Sequence, residues 1–187
     1  MPAAFRPPVV TVATGDVLRR VHHHTRDPIW YGRRDATWRF DDPTRRYGVA
    51  YLGRTTAAAL SETLLRDPRQ DRVLWSDVES RREALIRVVQ PLRLAMAHGA
   101  GLSYFSVQQG DVASAGYDVP QGISARVHNE TMLDGLQYRS RFDSDELCIA
   151  LFERASSKIE LVVGGLSLDR EMVGAFLRVR GKRLAGR

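Results

Sequence analysis

Apolar and polar positions alternate at several points along this chain, and each such stretch predicts a strand. Residues 47–53 (YGVAYLG) are the clearest: Tyr47, Val49 and Tyr51 share one face, Ala50 and Leu52 the other. Residues 18–22 read as a short strand. Residues 84–89 (ALIRVV) and 92–96 (LRLAM) form two more, parted by Pro91. Residues 135–138 lead into Arg139-Ser140-Arg141 as a strand that ends in a loop. Residues 146–152 (ELCIALF) and 159–163 (IELVV) have strand-forming composition, and Gly164-Gly165 follows as a turn. Residues 38–40 read as a short extended piece closed by Asp41-Asp42-Pro43.

The helical signal is strongest after Gly53. Thr55 or Thr56 can cap a helix, the run AAALSETLLRD has high helix propensity, and Pro68 stops it. Glu62 then sits mid-helix near small alanines. A second helix is expected over residues 120–132, with Pro120 near its start. A last one, at about 167–180, is capped by Ser167 and carries Leu168, Met172 and Phe176 at i, i+4 spacing. Arg178, Arg180, Lys182 and Arg183 suit its C-terminal end. Residues 102–107 fit either period. Residues 24–37 mix proline, glycine and charge, and read as loop. Residues 1–15 contain three prolines and read as an arm or an edge strand.

Six or seven strands and three helices, not in strict alternation, predict an α+β fold with a compact mixed or antiparallel sheet core and flanking helices. Nothing reads as a linker, so the expectation is one domain over residues 1–187.

The longest apolar run, residues 147–152, has six residues, whereas a membrane helix needs about 20. The prolines of MPAAFRPPVV interrupt the apolar stretch that a signal peptide requires. With the single cysteine, Cys148, this gives a cytoplasmic expectation. The net charge is +6, and only Lys158 and Lys182 among the 28 basic residues are lysine. A GC-rich genome accounts for such a bias; arginine also suits bidentate binding of phosphate and carboxylate. No helix-turn-helix, zinc-finger or aromatic RNA-binding motif points to nucleic acid as the main partner.

GxGxxG, Walker, GxSxG and HExxH motifs are absent. Consecutive strand residues point to opposite faces, so His22-His23-His24 does not converge on one ion, and no metal site is expected. Cys148 lies in an apolar strand and reads as core. Glu62 is either a cleft carboxylate or a solvated partner of Arg66 at i+4. Arg139-Ser140-Arg141 either places a hydroxyl between two guanidiniums, which suits phosphate, or is an exposed loop.

Three ordered segments carry a family likeness. WRFDDPTRRYGVAYLGRTTAAALSETLLRD resembles the opening motif of the RES family: a "GRW" or "GRF" segment, a "YLA" strand and a helix with an "AL-E" glutamate. DGLQYRSRFD is similar to that family's "DGI-Y-SR" element, and LRRVHHH to its first arginine segment. The likeness spans about residues 18–163. Thr37-Trp38 replaces the "GRF" glycine, and Gly53 replaces the last residue of "YLA", where the lost methyl loosens the strand end. Of Arg19 and Arg20, Arg20 precedes Val21-His22 as the family's arginine precedes its "V-H".

The resemblance implies an ADP-ribosyltransferase-like fold and a toxin that destroys NAD+ by splitting off nicotinamide, through phosphorolysis or hydrolysis. It implies functional positions at Arg20, Arg39, Tyr51, Glu62 and Ser140. It implies as partner a helix-turn-helix antitoxin in a hetero-oligomer, so that DNA is met only through the antitoxin. NAD+ is then substrate rather than resident cofactor, and inorganic phosphate the co-substrate. A transferase acting on a macromolecule and an inactive binding module are the other classes this likeness admits.

The chemistry agrees with one carboxylate. Breaking the nicotinamide–ribose bond builds an oxocarbenium-like transition state. Nicotinamide departs as a neutral molecule from a cation, so no acid has to protonate it. Glu62 could hold a ribose hydroxyl and stabilise the developing charge. Arg20 and Arg39 could bind pyrophosphate or phosphate, Tyr51 could pack on the nicotinamide ring, and Ser140 could hydrogen-bond phosphate or ribose.

Overall fold

The sheet is built from strands contributed by the whole length of the chain. The computed structural model describes residues 4–114 and 116–186; the first three residues of the expected arm lie outside the described residues. In chain order the strands are β1 (Val9–Val12), β2 (Val17–His23), β3 (Val49–Gly53), β4 (Arg72–Leu74), β5 (Arg81–Val88), β6 (Leu92–Ala97), β7 (Gly135–Arg139), β8 (Leu147–Phe152), β9 (Ile159–Ser167) and β10 (Arg183–Ala185). Eight of them form one sheet in the order β1-β6-β7-β8-β3-β2-β5-β9, and β10 pairs with β4 separately. Within the large sheet only β6 and β7 run parallel. The helices are α1 (Thr56–Leu64), α2 (Trp75–Glu79), α3 (Ala100–Tyr104), α4 (Gln109–Ala113), α5 (Asp118–Glu130) and α6 (Arg170–Val179). The architecture is thus α+β with a mixed, mainly antiparallel sheet.

The alternation of β3 is used on both faces. Tyr47, Val49 and Tyr51 pack with Phe40, Val127 and Tyr138 beneath α5. Ala50 and Leu52 enter a second cluster with Val12, Ile86, Leu94 and Ile149. That cluster draws on strands from both ends of the sheet order, so the sheet curls around it. A third cluster joins α1 to α6 through Leu60, Val173 and Leu177. Such burial on both sides gives β3 and β8 their nearly continuous apolar character. None of the described helices is long and apolar enough to cross a membrane.

Several local expectations are corrected. Residues 38–40 form a turn, with the Asp41 amide donating to the Trp38 carbonyl at 3.1 Å, and not an extended piece. Gly164-Gly165 lies inside β9: Leu85 pairs with Val163 and Glu83 with Leu166, and a bulge absorbs the extra residue. The last helix is capped by Asp169, whose carboxylate accepts from the Met172 amide at 2.7 Å, and not by Ser167. Leu168 precedes it. Residues 9–12 of the proline-rich start form an edge strand. Helices α2, α3 and α4 have five residues each, too few for a periodic signal.

Gly53 also differs from expectation. A Cβ there would lie 2.7 Å from the Ala59 nitrogen, 2.8 Å from the Thr55 oxygen and 3.0 Å from the Ala58 Cβ. The missing methyl therefore lets α1 start directly against the strand; it does not loosen the strand end. Gly53→Ala is expected to destabilise the protein by about 1–3 kcal/mol, the usual cost of overpacking. Each kcal/mol corresponds to roughly 2–4 °C in a chain of this size, so thermal unfolding reads the effect directly. An unchanged melting temperature would mean that strand and helix do not meet this closely.

Candidate active site

Helix α1 begins where β3 ends. The Thr55 side chain accepts from the Ala58 amide at 2.9 Å and satisfies one of the free donors of the first turn. Its hydroxyl also donates to Glu146 at 2.6 Å. This cap fixes the helix phase. Ala59, Glu62, Thr63 and Arg66, at i, i+3, i+4 and i+7, then form one stripe along a cavity of about 300 Å³. Val49, Tyr51, Leu52 and Gly53 of β3 border the same space.

Four of the five residues expected at the site meet in this cavity: Arg20 from β2, Arg39 from the loop before β3, Tyr51 from β3 and Glu62 from α1. Ser140 is not among the lining residues. It is 1% exposed, its Oγ accepts from the Phe142 amide at 3.2 Å, and its own amide donates to the Glu146 carbonyl at 3.0 Å. It turns the chain so that Arg141 and Phe142 reach the cavity instead. Arg139 does not converge with Arg141; its guanidinium donates to the Ser144 carbonyl at 2.5 Å.

Glu62 is not a solvated partner of Arg66. The Arg66 Nε donates to the main-chain carbonyl of Glu62 at 2.8 Å, and its guanidinium lies 4.9 Å from the Trp38 ring centroid. Glu62 Oε1 is buried with no hydrogen-bond partner among the described residues, and so is Arg39 Nη1. Arg39 is 6% exposed and stands over the Tyr138 ring at 5.6 Å. Among the described residues no carboxylate forms an ion pair with Arg20 or Arg39.

The two adjacent arginines of β2 both border the cavity but have different partners. Arg19 lies 3.6 Å from Glu83, whereas Arg20 donates to the Trp30 carbonyl at 3.0 Å. Burial brings the Arg20 guanidinium down to about 10, which leaves it fully cationic at neutral pH. Burial holds the phenols of Tyr51 and Tyr138 well above their ordinary value, so both stay protonated. Cys148 is buried on β8, and burial likewise pushes its thiol up, as suits a core residue.

The result is a positively charged cleft with aromatic walls. Arg19, Arg20, Arg39, Arg66 and Arg141 line it, and Glu62 is the one carboxylate among its described lining residues. Trp30, Trp38 and Tyr138 are among its lining residues. Such a site takes an anion bearing flat, apolar rings. Trp30, Tyr117 and Tyr138 were not singled out from the sequence. Trp38 and Tyr138 do lie inside the two family-like segments, which is the signal that could have found them.

The RES domain family model matches residues 17–170. No curated protein matches the sequence. In structure, the chain resembles a chain of the crystal structure of the M. tuberculosis MbcT–MbcA toxin–antitoxin complex. The TM-score is 0.70 over 90% of this chain and 92% of that one, at 12% identity, a likeness of fold. With the family model spanning most of its length and seven of the eight strands of the large sheet within the matched residues, the chain belongs to the RES domain family.

Proposed function

We propose that this protein is the toxin of a toxin–antitoxin pair and degrades NAD+ by cleaving the nicotinamide–ribose bond, with inorganic phosphate as acceptor. The observation that carries this reading is the presence, in one cavity, of a buried guanidinium nitrogen on Arg39 and a buried carboxylate oxygen on Glu62, each without a hydrogen-bond partner among the described residues. Membership of the RES family and the fold shared with a toxin–antitoxin complex support it.

In this reading Arg39 and Arg20 bind the pyrophosphate or the attacking phosphate. Arg141 takes the place beside the ligand that the family resemblance implied for Ser140, whose hydroxyl shapes the turn. Ring faces of Tyr51, Trp30 and Trp38 sandwich the flat groups. Glu62 orients a ribose hydroxyl and stabilises positive charge as the C1–N bond lengthens. The bonding pair leaves with nicotinamide, which departs neutral, and a phosphate oxygen bonds to C1. The products are nicotinamide and ADP-ribose-1''-phosphate, with no redox change and no covalent enzyme intermediate. Several guanidiniums around one cleft favour a phosphate dianion over water as acceptor. A cognate helix-turn-helix antitoxin that caps the cleft in the cytoplasm completes the reading.

Incubation of antitoxin-free protein with NAD+, with and without phosphate, tests this. Phosphorylated ADP-ribose formed only with phosphate supports phosphorolysis. ADP-ribose formed regardless makes water the acceptor, and label retained on a macromolecule makes the protein a transferase. Intact NAD+ after incubation with folded protein removes the reading.

A further inference from the structure

Residues 36–41 form no helix or strand, yet they bring both Trp38 and Arg39 to the cavity wall. Apart from the turn bond between the Asp41 amide and the Trp38 carbonyl, this irregular segment does not pair its buried backbone groups with one another, so they need other partners. Here side chains supply them. The Gln121 amide donates to the carbonyls of Ala36 and Trp38, both at 2.9 Å. The Ser124 hydroxyl donates to the Phe40 carbonyl at 2.6 Å. The Trp38 amide donates to Asp41 Oδ2 at 2.9 Å. The Phe40 amide donates to the Tyr51 hydroxyl at 2.9 Å, and that hydroxyl donates its single proton to Asp41 Oδ1, also at 2.9 Å.

Gln121, Ser124 and Asp41 are 8%, 0% and 6% exposed, so water does not compete for these bonds. The segment is also strained: Ala36 adopts φ 58°, in the left-handed region that a residue with a Cβ avoids. Strain of this kind persists only where the surroundings over-determine the backbone. Arg39, the residue so presented, has a guanidinium nitrogen left without a partner among the described residues.

We propose that Tyr51, Asp41, Gln121 and Ser124 are positioning residues. They lock the 36–41 turn so that the Arg39 guanidinium stands preformed and unpaired at the cavity, and the Tyr51 hydroxyl acts through Arg39 and not on the substrate. Preformed geometry matters because a misplacement of about 1 Å can cost about 100-fold in rate. This inference rests on the cavity being the NAD+ site, and the test separates the two.

Calorimetric titration of NAD+ is made in Glu62→Gln protein, with Arg39→Ala, Tyr51→Phe or both added. Tyr51→Phe is expected to weaken NAD+ binding about tenfold while Arg39 is present, as for loss of one charged hydrogen bond. It should have no further effect once Arg39 is alanine. A double variant that loses the product of the two single effects overturns the proposal, because the Tyr51 hydroxyl then touches NAD+ itself. The second readout needs no ligand. The Trp38 and Phe40 amides are expected to exchange with solvent faster in Tyr51→Phe, and faster in Gln121→Met should the first variant not fold. Unchanged protection overturns the clamp. If neither wild-type nor Glu62→Gln protein binds NAD+, the NAD+ reading falls, and amide exchange alone decides the clamp.

Discussion

Glu62→Gln is expected to slow nicotinamide release by about 1,000-fold, the upper range for removing one preorganised electrostatic group from an active site. The substitution keeps shape and removes charge. Positive charge grows on the ribose as nicotinamide leaves, and Glu62 is the carboxylate that lines the cavity to meet it. Its Oε1 is buried and has no partner among the described residues, so its field is not spread over neighbours. Low local polarity strengthens its effect on nearby charge. For the same reason the carboxylate adds nothing to the empty fold, since a buried acceptor without a partner is a cost. The melting temperature of Glu62→Gln is therefore expected to equal or exceed that of the parent. Nicotinamide release and thermal unfolding measured on one preparation separate the outcomes. A folded variant at full rate takes Glu62 out of the chemistry. Parallel loss of rate and melting temperature makes Glu62 a structural residue.

The path from sequence to site was legible where local signals agree. The alternation of residues 47–53, the Thr55 cap and the run of helix formers place Tyr51 and Glu62 as the structure does. What Glu62 touches was not legible. The i+4 spacing to Arg66 pairs two charges on an isolated helix, but Trp38 captures the Arg66 guanidinium, and Trp38 arrives from a loop placed only by tertiary contacts. The same holds for Ser140. Strand alternation says that Arg139 and Arg141 flank it, but the turn made by its own hydroxyl sends only Arg141 to the cavity. The partners that hold the Arg39 turn, Gln121 and Ser124, lie more than 80 residues along the chain, on α5. Periodicity marks that helix and says nothing of what its two polar side chains grip. Gly53 read as a weakened strand end because the sequence gives spacing without depth; the close approach of α1 exists only once strand and helix are packed.

Arg39→Ala is the second variant with a large expected effect: a loss of about 100- to 1,000-fold in kcat/KM for NAD+, with no loss of fold. Arg39 is 6% exposed, and among the described residues one of its guanidinium nitrogens is without a partner and it has no ion pair. The nearby ring of Tyr138 offsets only part of the cost of removing that charge from water. The empty protein is thus held slightly less stable than it could be, in a form that an anionic ligand relieves. Two results follow from one cause. Without ligand, Arg39→Ala is expected to melt at or above the temperature of the parent. With ligand, the order reverses: NAD+ at 100 times its Kd stabilises the parent by about 2.7 kcal/mol, while the variant at the same concentration gains far less. Arg39→Lys restores charge but not the planar fork, and is expected to recover ligand stabilisation only in part. Crossed melting curves would tie Arg39 to the anion. Curves that rise together with NAD+ would place the pyrophosphate against Arg20 and Arg141, and the Arg39 turn would then serve the wall of the cleft and not its charge.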